Sequence, residues 1–148
     1  MRWRLAAVLV LALSVTACKR LHAPTYTSAR VTIRGCPKAR VPLGRPFILS
    51  FSVVNRSGIK WPATYVLLSP SGAMKARLAV RGEPTQGIGG GITRVKSPLA
   101  PGHRITGSVR GYLIKADTAT VNLGAWGAPA NSVSVPTSYT NPACTVRP

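Results

Sequence analysis

The side chains able to do acid–base or nucleophilic chemistry are few. Histidine stands only at His22 and His103, and the only carboxylates are Glu83 and Asp117. A Ser-His-Asp relay would have to combine His103, Asp117 and one of many serines. No G-x-S-x-G turn is present to strain and expose a nucleophile. His103 follows Pro101-Gly102, where a solvated turn histidine is expected. Two acidic residues cannot by themselves supply a calcium cage, a two-metal site or a glycosidase pair that also needs binding partners. Two distant histidines make a first-row metal site equally poor. Gly87, Gly89, Gly90 and Gly91 have the composition of a phosphate-cradling loop, but no Gly-Lys-Ser/Thr follows, so a hairpin tip is expected. The expectation is a non-catalytic protein with no cofactor and no metal.

Cysteine and charge carry more information. Cys18 closes the segment MRWRLAAVLVLALSVTAC, in which Arg2 and Arg4 precede the apolar stretch Leu5 to Leu13. That stretch is short of the roughly 20 apolar residues a bilayer span needs, so it reads as an export h-region. Val15-Thr16-Ala17-Cys18 resembles the bacterial lipoprotein lipobox. The resemblance implies cleavage before Cys18, lipid on its sulfur and on the new amino terminus, and attachment to a membrane. Residues 1–17 are then the signal peptide and 18–28 a tether. Lys19 stands where inner-membrane retention would favour aspartate, which points to the outer membrane, facing the periplasm. With Cys18 lipidated, Cys36 and Cys144 remain as an even pair in an oxidising compartment, where a disulfide is expected.

Lys and Arg number 20 against 2 Asp and Glu, for a formal net charge of +18. At most two of the cations can pair one to one with internal carboxylates. The rest must face solvent, counterions or a partner. Arg predominates, and its planar fork suits phosphate and carboxylate groups. Lys75, Arg77, Arg81, Arg94, Lys96, Arg104 and Arg110 are the candidate anion-binding residues. On a strand reading Lys75, Arg77 and Arg81 share one face, Arg30 and Arg34 another, while Arg104, Arg110 and Lys115 cluster around a third strand. Aromatic residues are too scattered to stack successive bases, so no specific nucleic acid is expected. The alternative reading is that the charges only solubilise sheet faces and edges.

The elements that must hold these residues are strands. Val31 and Ile33 alternate with Arg30, Thr32 and Arg34; Phe47, Leu49, Phe51 and Val53 alternate with Ser50 and Ser52. Met74, Ala76, Leu78 and Val80 alternate with Lys75, Arg77, Ala79 and Arg81, the period of a half-buried strand. Ala63 to Ser69 is almost continuously apolar and suggests a strand buried on both faces. Ile92 to Lys96, Arg104 to Lys115 and Thr118 to Trp126 complete the set. Asn55-Arg56-Ser57-Gly58 is expected to turn through positive φ, Gln86 to Ile92 to form a flexible loop, and 131–148 to be irregular except where Cys144 pins it.

About seven strands without a helix predict a single immunoglobulin-like antiparallel β-sandwich over 29–130, with a closed barrel as the alternative. The run FILSFSVVNRSGIKWPATYVLLSPSGA and the later SPLAPGHRITGSV resemble small bacterial immunoglobulin-like domains of the FxLYD and DUF3426 kind. That resemblance implies the same fold and transfers no site residue. The functional expectation is an envelope lipoprotein acting as a cationic binding or assembly module for anionic lipid, lipopolysaccharide or an acidic protein. An immunity or inhibitor lipoprotein that neutralises an acidic toxin or enzyme is the alternative.

Overall fold

The computed structural model describes residues 26–129, 132, 135, 136, 139 and 141–148. The signal peptide, the lipobox at Cys18, His22 and most of the tether lie outside the described residues. Among the described residues there are nine strands: β1 (Ala29–Arg34), β2 (Phe47–Asn55), β3 (Ala63–Pro70), β4 (Met74–Val80), β5 (Thr85–Gly89), β6 (Ile92–Val95), β7 (Arg104–Leu113), β8 (Ala119–Ala128) and β9 (Ala143–Val146). They form a four-stranded sheet, β1-β2-β7-β4, and a five-stranded sheet, β5-β6-β3-β8-β9. Every strand pair is antiparallel. The order β1-β2-β7-β4 against β3-β8-β9 is that of an immunoglobulin-like sandwich, with the β5–β6 hairpin extending the second sheet.

Two of the nine strands depart from the expected seven. The stretch expected as a loop at Gln86 to Ile92 contains β5, which pairs with β6 across a bulge between Gly87 and Gly89. Its residues are mostly exposed, so no inward apolar alternation marks it; backbone pairing alone makes it a strand. Glycine is required at the hairpin tip, where Gly89, Gly90 and Gly91 take φ of 94, 59 and 78°. The tail expected to be irregular contains β9, which pairs with β8 and buries Cys144 and Val146, so the sandwich extends beyond residue 130.

The alternating strands behave as their sequences dictate. On β2 Phe47, Leu49, Phe51 and Val53 are buried, whereas Ile48 and Ser50 are exposed. The core lies between the sheets and includes Leu49, Val53, Val66, Val109, Leu113, Val121 and Leu123. β3 is buried on both faces because a second cluster, Ala63, Tyr65, Trp126 and Ala128, packs on its far side under Tyr139. Tyr65 stacks on Trp126 with ring centroids 5.8 Å apart, and its hydroxyl donates to the Ser132 carbonyl at 2.7 Å. Ser132 and Tyr139 thus lie over the outer face of the five-stranded sheet there.

The register between β2 and β7 places Phe47 opposite Gly111 and Phe51 opposite Gly107. Each phenyl ring lies over its facing glycine, where a side chain would intrude. A Cβ at Gly107 would stand 2.5 Å from the Phe51 ring and also strike the Ala79 carbonyl. Gly107→Ala is therefore expected to cost about 2 kcal/mol through overpacking. Urea denaturation showing no loss would refute this reading of the pair.

The expected positive-φ turn after β2 does not occur. No non-glycine residue has positive φ among the described residues, and Gly58 does not either. Hydrogen bonds from the buried Asn55 side chain shape the turn instead. Its Nδ2 donates to the Ile59 and Leu99 carbonyls, and its Oδ1 accepts from the Ser57 N–H and Oγ–H.

Candidate functional site

Alternation in the four-stranded sheet sends one side chain of each pair to the core and the next to the outer face. On β7 this turns Arg104, Thr106, Ser108, Arg110 and Tyr112 outward. On β4 it turns Lys75, Arg77 and Ala79 outward, and Arg81 continues the series with its N–H bonded to the Thr106 carbonyl at 2.8 Å. Arg30, Thr32 and Arg34 occupy the same face on β1.

The register then assembles rows across the sheet. Arg30 faces Val54, which faces Arg104; Thr32 faces Ser52, which faces Thr106; Arg34 faces Ser50, which faces Ser108. Further along, Ile48 faces Arg110, and Arg110 faces Arg77; Tyr112 faces Lys75. The three groups of cations separated by the sequence pattern meet on one surface, except Lys115, which lies in the bend after β7. Lys75, Arg77, Arg81, Arg104 and Arg110 join Arg30 and Arg34 around a floor of serine and threonine hydroxyls. A shallow depression of about 260 Å³ opens on that floor, rimmed by Arg34, Arg81 and Arg104. Within it Thr32 Oγ1 and Ser52 Oγ share a hydrogen bond of 2.6 Å.

One carboxylate comes near this surface, at its margin. Glu83 lies at the end of the sandwich with Lys60, His103 and Arg104, and Asp117 lies in the turn after β7. Among the described residues no ion pair links either carboxylate to the outer-face arginines. Arg77 and Arg110 oppose each other directly, both exposed. Like charges in directly opposite positions destabilise a sheet, so the Arg77–Arg110 pair works against the fold.

Two of the seven candidate residues do not belong to this surface. Arg94 lies on β6 in the five-stranded sheet, opposite Tyr65 and Gln86, and Lys96 follows β6 there. Spacing along the chain cannot reveal this, because sheet membership depends on pairing. His103 and Asp117 flank the ten-residue strand β7 at its two ends, roughly 30 Å apart on an extended backbone, and form no relay. Among the described residues no cluster of three His, Cys, Asp or Glu side chains could hold a metal ion. Cys36 and Cys144 are joined in a disulfide with Cα atoms 5.8 Å apart, within the range for an intact bridge.

No family model and no curated protein matches the chain. Among solved structures the chain is similar to one described as "AvmM Catalyzes Macrocyclization in Alchivemycin A Biosynthesis". The two share a TM-score of 0.60 over 85% of this chain and 97% of that one, at 14% sequence identity. At that identity the likeness shows a shared sandwich fold; the functional reading of this chain rests on its own surface.

Proposed function

We propose that this is a non-catalytic binding module of the bacterial cell envelope, exported and lipid-anchored through Cys18, whose four-stranded sheet binds an anionic partner. The observation that carries the reading is the Arg77–Arg110 pair, set on a face of seven cations none of which is ion-paired to a carboxylate among the described residues. Solubility is normally served by charges of mixed sign, dispersed over the surface. Here seven cations share one face, and two arginines stand at directly opposed strand positions. An anion seated between them relieves that repulsion and engages the planar forks.

The reading predicts opposite effects on stability and binding. Arg77→Thr should raise stability at low salt by about 0.5 kcal/mol, since it removes a like-charge cross-strand contact. It should also weaken binding of inorganic polyphosphate by the full chain severalfold, and high salt should erase both effects. Arg94→Gln, on the other sheet, should leave polyphosphate affinity nearly unchanged. Fluorescence anisotropy with labelled polyphosphate measures binding, and urea denaturation measures stability. An affinity equally sensitive to Arg94→Gln would reduce the face to diffuse charge.

A further inference from the structure

The cationic face is graded along its strands. One end carries the hydroxyl floor; the other carries apolar side chains in outward positions. Of the five large hydrophobic residues exposed among the described residues, Leu43, Ile48, Tyr112 and Ile114 gather at this second end, with exposures of 54, 63, 39 and 43%. Ile48 faces Arg110 across β2 and β7, and Tyr112 faces Lys75 across β7 and β4. The Gly44 N–H bonds the Leu113 carbonyl at 2.9 Å, which sets the neighbouring Leu43 and Ile114 beside the same end. A groove of about 810 Å³ adjoins this end, lined by Gly44, Pro46, Lys75, Arg77, Arg110 and Tyr112. These side chains belong to neither core cluster, and an exposed apolar cluster of this kind marks a contact surface.

Resting on the anion-binding reading, we infer that the partner is the surface of an anionic lipid bilayer, with the Ile48–Tyr112 end seated at the headgroup–acyl boundary. A soluble polyanion satisfies the arginines and leaves the apolar end in water. A bilayer satisfies both: lipid phosphates meet Lys75, Arg77 and Arg110, while Leu43, Ile48 and Ile114 enter the apolar boundary beneath them. Tyr112 suits the interface, since its ring is apolar and its hydroxyl remains hydrated. Long Lys and Arg side chains reach back toward the phosphates from a sheet lying against the membrane. The apolar side chains are few, so the contact is reversible and depends on charge.

The test places a reporter at the apolar end. In the mature chain from residue 18 onward, with Cys18→Ser so that no lipid anchors it, Ile48→Trp introduces a tryptophan at an exposed position, whereas Trp61 and Trp126 are buried. Subtracting the signal of the same chain without Ile48→Trp removes the contribution of Trp61 and Trp126. Vesicles of phosphatidylcholine mixed with phosphatidylglycerol, carrying brominated acyl chains, should shift the added emission to the blue and quench it. Pure phosphatidylcholine vesicles should do neither. Arg77→Gln and Arg110→Gln should each weaken docking roughly fivefold, the effect of losing one surface cation. Unquenched emission, or equal quenching in neutral vesicles, overturns the proposal. Polyphosphate binding without vesicle quenching overturns the lipid assignment alone and leaves the anion-binding face standing. Loss of both overturns both.

Discussion

Replacing Cys36 and Cys144 together by serine is expected to lower stability by about 4–5 kcal/mol. The bridge closes a loop of 108 residues, and chain-entropy arguments assign a cross-link of that span an effect of this size. Its position adds a structural reason. Cys36 follows β1, an edge strand of the four-stranded sheet, and Cys144 lies in β9, an edge strand of the five-stranded sheet. The disulfide therefore ties the two layers together along one side of the sandwich. β9 has only four residues, paired with β8 alone, and it helps bury Val121 and Val146. Once released it should fray, exposing that corner of the core. Native domains typically have about 5–15 kcal/mol in total, so the doubly substituted protein should be marginal. Urea denaturation of oxidised protein against the double-serine variant measures the difference. A loss below about 1 kcal/mol would mean that the unfolded chain is already compact without the bridge.

Asn55→Ala should cost about 3 kcal/mol, the second largest effect expected. Asn55 is fully buried, and its amide uses two donors and accepts two hydrogen bonds. Its contacts join the end of β2 to the turn at Ser57–Ile59 and to Leu99 before β7. Removing the side chain orphans the buried Ser57 N–H and strips one donor from each carbonyl, each a desolvation cost of about 1–3 kcal/mol where no water replaces it. Asn55→Asp discriminates this account from simple loss of volume. It preserves shape but turns an oxygen toward the Ile59 and Leu99 carbonyls, a site that favours the protonated acid. The native state should then bind a proton more tightly than the unfolded chain, so the stability of Asn55→Asp should rise as pH falls. Denaturation at neutral and mildly acidic pH measures this. If Asn55→Asp is as stable as wild type at neutral pH, the four-bond network is not what holds the turn.

The legible part of the fold is the part in which side-chain burial follows the backbone period. β2 and β4 could be read because one face meets the core and the other meets water. β5 offers no such contrast; it is an exposed edge strand whose structure resides in hydrogen bonds to β6. β9 is too short for a period to emerge, and its place depends on a partner more than twenty residues earlier in the chain. The Phe47–Gly111 and Phe51–Gly107 pairs did leave a trace: two phenylalanines four apart and two glycines four apart. That spacing acquires meaning only once β2 is known to run antiparallel to β7.

The same division governs the candidate site. Composition established by itself that the cations outnumber possible internal partners, because two carboxylates cannot pair with 20 Lys and Arg. Local alternation established which of them point away from a core. Tertiary structure decided which lie together, because β1, β2, β7 and β4 are adjacent in the sheet while far apart in the chain. That pairing merged Arg30, Arg34, Lys75, Arg77, Arg81, Arg104 and Arg110 onto one face and placed Arg94 and Lys96 on the other sheet. It also set Ile48 and Tyr112 beside arginine and lysine rather than in the core. Charge is a sum over residues, so sequence determines it; a charged face is a matter of strand order and register, and those arise from long-range pairing.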